Sequence, residues 1–146
     1  MAEWQEPIFD RTQSDVDYAK AQLRQQINNV DLKGCLNVID LTRMETDIQY
    51  LADKLVELYY FNVITTRDTW AMTTIPYASY LNQIINSIRT LWTKYERPPG
   101  AVDLPNTLLT FEQVNAVEKN LYLIKEMLDD MIDSFRICGT FNCGEA

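Results

Sequence analysis

A chain of 146 residues with 47% hydrophobic and 11% aromatic side chains carries enough apolar material for one packed domain, which argues against intrinsic disorder. Its formal charge of −8, from 21 acidic and 13 basic residues, argues against a phosphate-binding surface, because nucleic-acid affinity rests on Lys and Arg displacing counterions. The lack of any histidine removes Ser-His-Asp and Cys-His arrangements and most catalytic metal sites.

The opening stretch, "MAEWQEPIFDRTQSD", has no basic start and no apolar core, so synthesis in the cytoplasm is expected. No stretch approaches the roughly 20 apolar residues that span a bilayer. The first amphipathic segment runs from about Thr12 to Asn29, with Val16, Ala19, Leu23 and Ile27 on one face. Thr12 and Asp15 make a capping box at its start. Gly34 breaks the pattern. The second segment runs from about Asn37 to Tyr60, capped by Asn37 with Asp40 in the first turn, and Leu36 is placed to staple onto Leu41. Its seam is Leu41, Met44, Ile48, Leu51 and Leu55, alternating three and four residues apart.

The third segment runs from about Pro76 to Tyr95, with Leu81, Ile84, Ile85, Ile88, Leu91 and Trp92 facing inward. "ERPPGAVDLPN" ends it in a rigid loop. The fourth runs from about Phe111 to Phe135, with Thr110 and Gln113 as a capping box and Leu109 placed to staple onto Val114. Its seam, Val114, Val117, Leu121, Ile124 and Leu128, repeats that of the second, and Glu45 and Glu118 each follow the second apolar residue. The weaker helices match more loosely, with Trp4 and Trp70 ahead of them. The expectation is an all-α, four-helix bundle-like domain over residues 1–135. It would be built from two duplicated antiparallel hairpins, about 1–62 and 63–135, each burying what the other cannot. Beyond Phe135, "RICGTFNCGEA" loses the helical period and reads as a short extended tail, 136–146. It either folds back on the bundle or pairs with another chain.

The segments "DRTQSDVDYAK", "LNVIDLTRMETDIQYLADKL", "IPYASYLNQIINSIRTLW" and "LPNTLLTFEQVNAVEKNLYLIKEML" follow one another in this order. This series resembles a helical module of structural proteins from tailed bacteriophages and prophages of Gram-positive, clostridia-like bacteria. Tyr77 stands where such modules usually carry a capping Thr after the "IP" pair. The resemblance implies a virion setting, in tail, baseplate or neck. It implies a non-enzymatic assembly role with other virion proteins and copies of this chain as partners. The alternative is a receptor- or glycan-binding adaptor of a tail fibre.

No chemistry announces itself beside that. Four glycines build neither a dinucleotide fingerprint nor a phosphate loop, and no cofactor or metal is expected. Three cysteines, Cys35, Cys138 and Cys143, make no disulfide framework, and "CGTFNCG" lacks the remaining ligands of a zinc site. Glu45 and Glu118 are the one carboxylate pair of interest. They either meet as an acidic dyad or each pair with Arg43, Lys119 or a residue of the other hairpin. Tyr59, Tyr60, Phe61, Trp70, Tyr77 and Tyr80, with Trp92 and Tyr95, gather around the second-to-third connection and along the third helix. They close the end of the bundle or form an interface, with Ile137 and Phe141 of the tail as further interface candidates.

Overall fold

A computed structural model describes residues 2–25, 32–62, 64–66, 70–71, 73 and 77–140, with the side chains of 136–140 outside that set. The protein is all-α, with four helices in a bundle-like arrangement and no strand among the described residues: α1 Gln13–Arg24, α2 Val38–Glu57, α3 Ala78–Lys94 and α4 Phe111–Thr140. The helix starts follow from their caps. Thr12 and Asp15 exchange hydrogen bonds as a capping box, and Asn37 accepts the amides of Ile39 and Asp40 while Asp40 reaches back to the Asn37 N–H. Gln113 Oε1 accepts the Thr110 N–H at 3.1 Å, and the Gln113 N–H reaches the Thr110 hydroxyl at 3.4 Å. Only α3 begins without a side-chain cap: Tyr77 holds the position and has no oxygen near enough to its own backbone to serve. Pro76 lies outside the described residues.

The core joins three helices. Leu41, Met44, Ile48, Leu51 and Leu55 of α2 meet Leu81, Ile84, Ile85, Ile88 and Leu91 of α3 and Val114, Val117, Leu121, Ile124 and Leu128 of α4, with Trp70 and Leu108 closing the edges. Both expected seams are therefore buried along their whole length. Leu108, not Leu109, packs at the start of α4. Leu109 is 80% exposed because its backbone N–H turns in to Gln113 Oε1 at 2.8 Å, so no staple forms onto Val114.

The direction of the helices departs from the expected antiparallel hairpins. Trp70 joins Glu45 near the start of α2 to Tyr80 near the start of α3. At the far ends, Tyr60 meets Tyr95. Arg43 of α2 pairs with Glu118 of α4, and Trp4 touches both Tyr50 and Lys125 one to two turns further along each helix. The three core helices thus run parallel. Each connection returns along the bundle: Asn62 bonds Ala52, Thr66 bonds Gln49, and Trp70 bonds Glu45. Likewise Val102 lies beside Asn120 on the way back to Thr110. Antiparallel neighbours go with short loops, whereas about ten extended residues already retrace the roughly 30 Å of a 20-residue helix. The connections 58–77 and 95–110 are long enough to do so.

The N-terminal segment, residues 2–12, runs back along α2 and α4 in the same way. The short α1 then sits at the periphery. Of its expected inner face only Ala19 is buried, Leu23 is 52% exposed, and Ile27 lies outside the described residues. Its position is set by Gly34: a Cβ there would collide with the Asp15 carbonyl. At the other terminus α4 continues past Phe135 to Thr140, so residues 136–140 are helical, not extended. Gly139 costs roughly 1 kcal/mol within a helix, but propagation of an already nucleated helix adds a hydrogen bond per residue. Phe141, Cys143 and the rest of the expected tail lie outside the described residues.

Candidate functional site

A buried charged cluster joins the N-terminal segment to α2 and α4. Arg11, 4% exposed, reaches Asp40 at 2.8 Å and Glu118 at 3.3 Å, and also donates to the Lys33 and Ile8 carbonyls. Arg43 contacts Asp40 and, at 2.6 Å, Glu118. Two cations and two anions balance. Burial pushes the Glu118 carboxyl up from its ordinary value, against the pull of Arg11 and Arg43. Burial also opposes the Arg43 charge, but hydrogen bonds and attraction from Glu118 and Asp40 outweigh it and hold that guanidinium above its usual value.

The same carboxylates hold backbone. Glu118 accepts the Ile8 N–H, and Asp47 Oδ1 accepts the Gln5 N–H at 2.8 Å. Asn115 grips Arg11 at both its N–H, 3.2 Å, and its carbonyl, 2.9 Å. Asn120 grips Val102 in the same two-point manner at 3.0 and 2.8 Å. An extended segment carries donors and acceptors that a helix face cannot pair, and a side-chain amide supplies one of each. So α4 holds the N-terminal segment and the return into its own start with two asparagines. Glu45 plays a comparable part on α2, where its carboxylate accepts the Trp70 indole N–H at 2.7 Å. Glu45 and Glu118 occupy similar places without forming an acidic dyad. Glu118 pairs with Arg43, as one of the two expectations had it.

The aromatic candidates divide into two groups at opposite ends of the parallel helices. Near the start of α3, Trp70, Tyr80 and Tyr77 stack edge to face, with centroids 6.1 and 5.6 Å apart. Trp70 is buried in the core and Tyr80 half-buried, so Trp70 is a packing residue and not a surface one, while Tyr77 is exposed. At the other end Tyr60 meets Tyr95 at 5.0 Å, and the Tyr95 hydroxyl reaches the Met131 sulfur at 3.2 Å. Ile137 falls on the last turns of α4, with its side chain outside the described set, and Phe141 lies beyond it.

Tyr59 and Phe61 are different: they are 83% and 73% exposed. The Tyr59 N–H donates to the Val56 carbonyl and the Tyr60 N–H to the Leu55 carbonyl, which is the Schellman closure of a helix. That closure needs a left-handed residue after the cap, usually glycine, and here Tyr59 takes it at φ 67°. A side chain in that region costs roughly 1–2 kcal/mol.

Around the cluster the surface is shallow. An open groove of about 400 Å³ lies between α1 and the start of α4, over Val16, Leu36 and Phe111, and a second of about 330 Å³ lies over Ile8, Leu32 and Ile39. The charged groups along the second, Asp10, Lys33, Asp40 and Arg43, are paired with one another. Among the described residues no three Cys, Asp or Glu side chains come together as metal ligands, and no helix is long and apolar enough to cross a membrane.

Arg11, Asp47, Asn115 and Asn120 were not singled out by sequence reasoning. The signal available for the asparagines was their place inside α4, where Asn disfavours helix and needs another reason to be present. No family model matches the chain, and no curated protein or solved structure matches it either.

Proposed function

We propose that this chain is a non-enzymatic assembly module of a bacteriophage or prophage particle, in tail, baseplate or neck, acting through contacts with other virion proteins and with copies of itself. The observation that carries this reading is Tyr59. A bulky ring stands almost fully in solvent, in a backbone conformation that glycine would adopt without strain, with Phe61 exposed two residues on. Strain retained at a surface position with no packing return supports a role in contact. The buried carboxylates support the same reading: Glu118, Asp40 and Glu45 are engaged by arginines, backbone or indole, which leaves them poorly suited to acid–base work on a substrate. The resemblance in order and spacing to phage structural modules supplies the setting.

The test is to purify particles from a producing strain and measure whether this chain co-purifies in fixed stoichiometry. Tyr59→Gly should keep the fold and lose incorporation. Absence from the particle, or full incorporation of the variant, sinks the reading. The exposed rings of Tyr59 and Phe61 also favour a second reading, stacking on sugar rings of a cell-surface polymer. A cell-wall glycan binding assay on the purified chain separates the two.

A further inference from the structure

The N-terminal segment is fastened at several points, and one of these differs from the rest. Arg11 and Arg43 are matched one for one by Asp40 and Glu118, so the cluster is neutral without Asp47. Asp47 is 0% exposed, its Oδ1 takes only the Gln5 N–H, and its Oδ2 has no partner among the described residues. Around it stand Glu118 from α4 and Glu6 from the N-terminal segment, both of like charge, and Arg43 from its own helix, whose Nη2 holds Asp40 and Glu118 and whose buried Nε–H makes no hydrogen bond to Asp47. Lys125 of α4 lies against the Trp4 ring and pairs with Asp129. An ionised Asp47 is therefore a surplus charge beneath the segment. The cheapest way to hydrate it is to lift the residues that cover it.

We propose that residues 2–6 form a proton-operated latch, closed over α2 and α4 while the Asp47 carboxyl is neutral and lifting at Gln5 when it ionises. The covering contacts are few enough to open alone: Trp4 on Tyr50 at 5.7 Å, Lys125 over Trp4, and the Gln5 hydrogen bond. The next fastenings, Ile8 on Glu118 and Arg11 on Asn115, keep the rest of the segment in place. Burial pushes the Asp47 carboxyl from 3.8 up to about 7 in the closed form. The closed form thus binds the proton more tightly than the open one, and closure is favoured in acid and lost progressively as pH rises to neutrality.

Amide hydrogen exchange of the intact protein reads this directly. After correction for intrinsic exchange, opening at Gln5 should increase roughly a hundredfold between about pH 5 and about pH 8, by linkage between an open-state carboxyl at its ordinary value and the closed one. Protection at Arg11, held by Asn115, should persist across the range. Asp47→Asn keeps an acceptor for Gln5 and should abolish the pH step. A flat response at Gln5 in the natural protein, or an unchanged step in the variant, overturns the latch. The natural protein alone also suffices, through NMR titration of the Asp47 side-chain carboxyl carbon. A midpoint that coincides with the loss of Gln5 protection supports the proposal. An Asp47 that is ionised throughout overturns it.

Discussion

Glu118 and Tyr59 show how far single positions can matter in opposite senses. Glu118 is fully buried between Arg11 and Arg43, and its carboxylate also accepts the Ile8 amide. Glu118→Gln preserves shape and an acceptor but leaves two guanidinium groups to share Asp40. Removing one partner of a buried ionic set typically costs about 3–5 kcal/mol. A urea midpoint close to that of the natural protein would show that the cluster is not organised as described. Tyr59 acts the other way. Tyr59→Gly removes left-handed strain while freeing the unfolded chain, so the folded state should gain on the order of 1 kcal/mol or somewhat less. A destabilised Tyr59→Gly protein would mean that the exposed ring contributes packing.

Among the elements, α4 does the most to position its neighbours, and its two asparagines can be tested separately from its apolar seam. Asn120→Ala leaves the Val102 N–H and carbonyl to find water, which should cost roughly 1–3 kcal/mol and show first as faster exchange at the Val102 amide. Thr110→Ala should weaken the start of α4 by about 1 kcal/mol in thermal or chemical denaturation. The seams and caps of these helices were legible because a period of three and four residues and a Ser/Thr/Asn start are local properties of the chain. The direction of the helices was not. A cap and a seam look the same in a parallel and an antiparallel neighbour, and Leu81 to Leu91 pack as well either way. Direction is encoded in the lengths of 58–77 and 95–110, which read as loops. Of the site, Glu45, Glu118 and Arg43 were visible. Arg11 and Asp47 were not, because their partners lie in other segments and nothing in their own surroundings marks them as buried. Trp70 was left between closing the bundle and forming an interface, and its burial in the core settles on packing.

For the whole molecule the same buried carboxyl sets a pH dependence of global stability. An Asp raised to about 7 when folded, and ordinary when unfolded, stabilises the native state fully only below the unfolded value. That contribution declines as pH rises toward neutrality and levels off where the latch opens, because the open form holds the carboxylate hydrated at its ordinary value. Chemical denaturation of the natural protein and of Asp47→Asn, compared between about pH 4 and about pH 8, should give stability curves that diverge in that window. Parallel curves would place the Asp47 titration outside it. Ile48→Ala, at the centre of the three-helix core, should cost about 2–5 kcal/mol at every pH in the same experiment.

The parallel course of the helices also has a consequence for biosynthesis. Ile8 and Arg11 find their partners at Glu118 and Asn115, more than a hundred residues later in the chain. On a ribosome, α1 and α2 emerge while α4 is still untranslated, and until then Arg11 and Arg43 have Asp40 as the one acidic partner of the cluster within reach. The nascent N-terminal half therefore holds an incomplete charged centre and an uncovered face of Leu41, Met44, Ile48 and Leu51. Contacts of such sequence separation also slow folding once the chain is complete. A translation arrest placed before Glu118 should leave a protease-sensitive intermediate, and a stalled chain extended at its C-terminus so that α4 clears the ribosomal tunnel should not.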